Sequence, residues 1–172
     1  MASEERATEL LIPALRPIYD RLSAYTGLVL RVVTGGIMIP HGYEHFFGRQ
    51  TLPEWFTGVQ PTAAPQFGAG LESFGGFLAS QGYEPAYFWA LLITFVQLFG
   101  GILLALGLLT RLAAAALAIF LFISVFQVAG LFGYWWNEGG LEMPLLWCIA
   151  SLVFVVRGGG RFSIDFKIGK EL

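Results

Sequence analysis

Apolar residues along this chain fall into long blocks rather than an alternating pattern, and the few charges that break those blocks mark out membrane-length helices. From Tyr25 to Phe47 only Arg31, His41, Glu44 and His45 interrupt the run, enough for one span at roughly 20 residues per ~30 Å of hydrocarbon. From Ala86 to Phe132 the only charge is Arg111, and that run is about twice what one span needs, so it must fold back on itself. The natural reversal is Gly107-Leu-Leu-Thr-Arg111, where a glycine ends one helix and an arginine reaches the interface. A fourth run, Leu141 to Val156, opens with Glu142 and Pro144 in its first turn, where an acid suits the helix dipole and a proline loses no needed hydrogen bond. The pattern predicts an all-α integral membrane four-helix bundle, with spans near 25–47, 86–107, 111–133 and 141–156.

The stretch between the first two spans, Gly48 to Glu84, is too long for a simple turn and holds Pro53, Pro61 and Pro65. Beyond them Leu71, Phe74, Phe77 and Leu78 recur at helical spacing, which predicts a short amphipathic helix on the outer surface that shields the bundle end or acts as a lid. Residues 1–23, with Glu4, Glu5, Arg6 and Glu9 and with Pro13 and Pro17, lack the apolar core of a secretory signal and read as a cytoplasmic leader, partly helical. One membrane domain, 24–157, is expected, followed by a cytoplasmic tail, 158–172.

Composition agrees with lipid as the main solvent: 56% of the 172 residues are hydrophobic and 13% charged, and the mean hydropathy is +0.66. A net charge of −2 offers no basic field for nucleic-acid phosphates, so nucleic acid is excluded as a partner class. The single cysteine, Cys148, permits no disulfide within the chain and reads as a packing residue. Charge does set orientation. Arg6, Arg16 and Arg21 precede the first span, Arg111 lies in the hairpin, and Arg157, Arg161, Lys167 and Lys170 follow the last, whereas only Arg49 lies on the other side. The positive-inside rule puts both termini in the cytoplasm, with belt aromatics such as Tyr43, Tyr83, Trp89, Tyr134 and Trp136 opposite.

An ionisable group in a span costs about 2.5–3.5 kcal/mol on insertion scales, so each one needs a partner or a purpose. The topology gathers His41, Glu44, His45, Trp135 and Glu142 at the outer mouth, with Gln97 and Gln127 deeper in the same half. Such a mouth would move protons or hold a polar head group, or its members would satisfy one another as structural glue. His41-Gly-Tyr-Glu44-His45 also fits the H-x-x-E-H zinc-peptidase spacing, which makes His41 and His45 a metal candidate, although no third ligand is fixed. Both histidines lie on one face of one helix and cannot flank a haem ring, but either could ligate a pigment alone. On the cytoplasmic side the polar residues are Arg31, Arg111 and Asp165; Arg31 is expected to pair with Asp165 or Asp20, or to reach lipid phosphate.

Arg31 with Gly35-Gly36 and His41-Gly42, the run Gly100-Gly101 through Gly107 to Arg111, Glu142, and Gly158, Gly160, Ser163 and Asp165 together resemble the DoxX family of small bacterial membrane proteins, over roughly residues 25–166. The family commonly has a glutamate where this chain has Gln97, and an amide cannot carry a proton as a carboxylate would. It often has a lysine near His45. The resemblance implies a multi-pass protein of the bacterial inner membrane that acts as a subunit of a redox assembly, such as a quinone-linked one. The expected function is an accessory subunit of a respiratory or photosynthetic electron-transfer complex, not catalytic by itself. Its expected partners are the bilayer and other membrane subunits, and its ligand a quinone, lipid or pigment. Two alternatives stay open, a quinone-interacting redox component and a small-molecule carrier.

Overall fold

The computed structural model describes residues 10–53, 55 and 70–170. The acidic first nine residues, the stretch with Pro61 and Pro65, and residues 171–172 lie outside the described residues. Every regular element among the described residues is helical. Helix α1 covers Arg16–Phe47 and ends where Gly48 adopts φ 89°. It is bent by 41° between Pro13–Ser23 and Tyr25–Phe47, so the end of the expected leader continues into the first long helix at an angle. Helix α2 covers Leu71–Ser80. Helix α3 runs over Ala86–Leu106 with one π-helical turn at Val96–Gly100. Helices α4, Thr110–Phe132, α5, Glu142–Arg157, and the short α6, Ile164–Ile168, complete the chain.

Helices α3 and α4 are each long and apolar enough to cross a membrane, and the bent first helix makes a third if it is taken as one span. Helix α5 has 16 residues, about 24 Å at 1.5 Å per residue, which is short of a ~30 Å hydrocarbon layer. The surface is apolar where that of a water-soluble protein would be polar: Ile119, Phe122, Phe126 and Val156 are all well exposed. These residues need lipid around them.

The hairpin forms as its sequence requires. Gly107, at φ 72°, accepts the left-handed conformation that ends α3, and Leu108 N–H bonds back to Leu103 O at 2.9 Å while Gly107 N–H bonds to Leu104 O at 3.1 Å. Helix α1 packs along the second half of α3, where Gly35 lies against the backbone of Gly101 and Ala105, and Gly42 against that of Leu98. Any side chain at those glycines would push the two helices apart. Helix α4 packs most extensively on α5, around Ala113, Ala114, Leu117, Leu121, Cys148 and Phe154. Cys148 sits in this core, its thiol directed at Ala118 O at 3.5 Å. Helix α4 also contacts Val96–Leu106 of α3 but hardly touches Ala86–Phe95. The hairpin is therefore closed at its turn and splayed at its open end.

Candidate functional site

The splay leaves a cleft of about 890 Å³ between α3 and α4. Its walls are apolar, with Leu92, Ile93 and Val96 on α3 and Ile119, Phe120 and Ile123 on α4. Helix α2 lies over one end, docked on α3 through Phe74, Leu78 and Ala90. Polar groups gather at that end. Tyr83 donates its hydroxyl to Gln127 Oε1 at 3.1 Å, and Gln127 Nε2 donates to Gln81 Oε1 at 3.1 Å, so one amide ties the segment after α2 to α4. The His45 ring forms part of the cleft wall and stacks on Phe74 with centroids 4.0 Å apart and planes 10° apart. Helix α2 thus touches α1 and α3, and the segment that follows it reaches α4. Among the described residues the cleft lining includes no lysine or arginine, and the acid in it is Glu138.

The residues expected at this mouth are distributed unevenly. His45 lines the cleft. His41 has an exposed side chain on α1, and Glu44 lies 3.9 Å from Arg49. Gln97, in the π-helical turn of α3, is buried, and its Oε1 has no hydrogen-bond partner among the described residues. Trp135 is exposed at 61%. Glu142 accepts the Trp136 N–H at 3.2 Å, which closes the α4–α5 connection together with Leu141 N–H to Gly133 O at 3.0 Å. Among the described residues no three His, Cys, Asp or Glu side chains converge as a metal site would require. Sequence reasoning noted Gln127 and Tyr83 but did not join them. The one available signal was the cost of an amide in an otherwise apolar span.

At the opposite end, where α1 begins and α6 lies, Arg31, Arg111 and Asp165 each fasten backbone of another segment. Arg31 is 1% exposed and donates to Gly159 O at 2.6 Å and Phe162 O at 3.1 Å. Its charge thus meets backbone carbonyls, and Asp165 acts on it through space. Asp165 caps α4: Oδ1 accepts Leu109 N–H at 2.8 Å, and Oδ2 accepts both the N–H and the hydroxyl of Thr110, at 2.8 and 2.6 Å. Its own N–H donates to Gly107 O at 2.9 Å. Burial by itself would raise the Asp165 carboxyl, but the Thr110 and Leu109 hydrogen bonds and the Arg31 charge outweigh it and hold the group below the usual carboxylate range. Arg111 donates to Val155 O and Val156 O at 2.8 and 2.9 Å, covering carbonyls at the C-terminus of α5. A side chain at Gly107 would strike Arg31 and Ser163, and one at Gly159 would strike Ser163 and Thr110.

Residues 27–130, which carry most of α1 and all of α2 and α3 with nearly all of α4, match the DoxX family profile. A stretch of 68 residues is 31% identical to an uncharacterized protein of Haemophilus influenzae, covering 40% of this chain and 45% of that relative. This chain thus spans less than half of that protein's length. No solved structure matches. With more than half of its length matched to the profile, and with Arg31 and the Gly101–Gly107 hairpin placed inside that match, the chain belongs to the DoxX family.

Proposed function

We propose that this membrane protein is an accessory subunit of an electron-transfer assembly in the bacterial inner membrane, and that it holds a quinone in the cleft between α3 and α4. The observation that carries this reading is the cleft itself: about 890 Å³ of largely apolar space with hydrogen-bonding side chains confined to one end. A long-chain molecule with a small neutral head matches that division. An isoprenoid tail would lie along Ile93, Val96, Ile119 and Ile123, and a quinone ring would meet His45, Tyr83 and Gln127. Gln127 commits one N–H of its amide to Gln81, which leaves a second to donate to a quinone carbonyl. With no lysine or arginine among the described lining residues, and with Glu138 in the lining, the cleft is poorly suited to a phosphate head. A quinone bound there would carry electrons to or from a redox centre on a partner subunit.

In this proposal α5 is the fourth span of a four-helix bundle. Arg157 would extend its reach by snorkelling at one end, as would the aromatic Tyr134–Trp136 segment at the other. Both termini lie in the cytoplasm, and α2 rests on the outer surface. The test is to purify the full chain from native membranes in mild detergent, extract its lipid-soluble ligand and identify co-purifying proteins by mass spectrometry. Ile123→Trp, which fills the cleft, is expected to abolish quinone recovery while leaving the helical content unchanged. Quinone recovery equal to wild type in that variant would place the ligand elsewhere and end this reading.

A further inference from the structure

The end of the molecule where α1 begins and α6 lies bears an amphipathic surface, independent of the cleft. Its first part is Pro13–Ser23, the segment bent by 41° from the rest of α1. Those 11 residues are too few to span a membrane. Ile18 and Leu22 lie one turn apart in a stripe on one face of the helix and are both more than half exposed, while Arg16 and Asp20 lie on the other face. No other part of the described protein covers that stripe. Across the bend it runs on through Tyr25 into Val29 and Val32, the exposed apolar side of α1.

The second part is the segment Arg161–Lys170, which contains α6. Phe166 and Ile168 are 59% and 58% exposed, between the exposed cations Arg161, Lys167 and Lys170. The two parts meet where Tyr25 stacks on Phe162, with centroids 5.3 Å apart and planes 17° apart. Arg31 holds the same junction from below through Phe162 O. Six exposed cations, Arg16, Arg21, Arg157, Arg161, Lys167 and Lys170, thus border one apolar rim. The other described carboxylates at this end are Asp20, exposed, and Asp165, buried against Thr110 and Leu109.

We propose that this rim is a binding surface for anionic phospholipid headgroups, with Ile18, Leu22 and Phe166 set into the acyl boundary and the cations above them against phosphate. Continuity with the exposed apolar side of α1 selects the bilayer over a soluble acidic protein as occupant, because a water-borne partner would have no access to an edge that merges with lipid. The excess of cations selects anionic lipid over zwitterionic lipid, and arginine adds paired donors that match phosphate oxygens.

The test compares phospholipids retained by the full-length wild type in mild detergent with those retained by Arg161→Gln/Lys167→Gln/Lys170→Gln, whose changed side chains are exposed. Wild type is expected to be enriched in phosphatidylglycerol relative to the source membrane. The variant is expected to lose that enrichment, by about fivefold in affinity for each cation removed, and to retain zwitterionic lipid as before. Raised salt should weaken the wild-type enrichment in the same direction. Separately, the fluorescence that Phe166→Trp adds to that of the five native tryptophans, read as the difference from wild type in nanodiscs, should be quenched by lipids brominated near the headgroup end of the chain. Equal phosphatidylglycerol enrichment in wild type and triple variant would overturn the proposal. So would an unquenched tryptophan at position 166, including a case in which a co-purifying protein shields it.

Discussion

The two ends of the helical body are built on opposite principles. At the end where α1 begins and α6 lies, Arg31 and Asp165 are buried and Arg111 half-buried, and all three are committed to named backbone partners: Arg31 to two carbonyls, Asp165 to the start of α4, and Arg111 to the end of α5. At the cleft end α3 and α4 diverge, and half-buried side-chain hydrogen bonds through Gln127 reach across. A membrane protein gains little hydrophobic energy from helix association, since lipid tails are as apolar as leucine. Dense polar fastening at one end therefore allows the other to stay open without the helices separating. The closed end organises the fold and the open end holds the space.

Breaking the closed end should have the largest effect. Arg31→Leu would leave the Gly159 and Phe162 carbonyls without their donor and Asp165 without its nearby positive charge, and is expected to cost about 3–5 kcal/mol. Thermal unfolding in detergent would show it as a large loss of stability, and Arg31→Lys should recover only part, because an ammonium lacks the guanidinium fork. An Arg31→Leu protein as stable as wild type would erase the contrast between the two ends. Gln127→Leu at the open end removes two partly buried neutral hydrogen bonds and should cost about 1 kcal/mol. Hydrogen exchange should report it as faster opening around residues 71–83 with the closed end unchanged. Loosening that spread to α5 would mean that the ends are coupled.

A smaller effect is a dependence on pH. The folded-state pKa of Asp165 is depressed, so at acid pH the unfolded chain binds the extra proton more readily than the folded one. Its contribution is fully present above the ordinary carboxylate pKa, about 3.9, and is lost as pH falls through the lower folded value. Asp165→Asn should remove that acid limb from the stability profile and lower stability at neutral pH. An unchanged acid limb in the variant would assign it to another carboxylate.

Much of the fold was legible because each helix signal is local. The apolar run from Ala86 to Phe132, broken by Gly107 and Arg111, led to a hairpin whose helices end at Leu106 and resume at Thr110. Leu71, Phe74, Phe77 and Leu78 marked α2, and Phe74 and Leu78 are its buried apolar side chains. The partner of Arg31 was not legible. Of the candidates, Asp165 does lie near, but the hydrogen bonds go to carbonyls of Gly159 and Phe162, about which side-chain chemistry in the sequence carries no information. The same holds for the cleft. Gln81, Tyr83 and Gln127 are joined across 44 and 46 positions of chain, and no periodicity links positions that far apart.

The sequence by itself determined which segments are helices, where the chain reverses and that lipid surrounds it, because these follow from the spacing of apolar, glycine and charged residues within one or two turns. Only the tertiary structure decided that α3 and α4 touch near their turn and part at their far ends, that His45 lines the resulting cleft while His41 does not, and that α2 lies over one end of it. Those outcomes depend on how closely Gly35 and Gly42 let α1 approach α3 and on how firmly Arg31 and Asp165 hold the opposite end. They are settled by contacts between segments far apart in the chain.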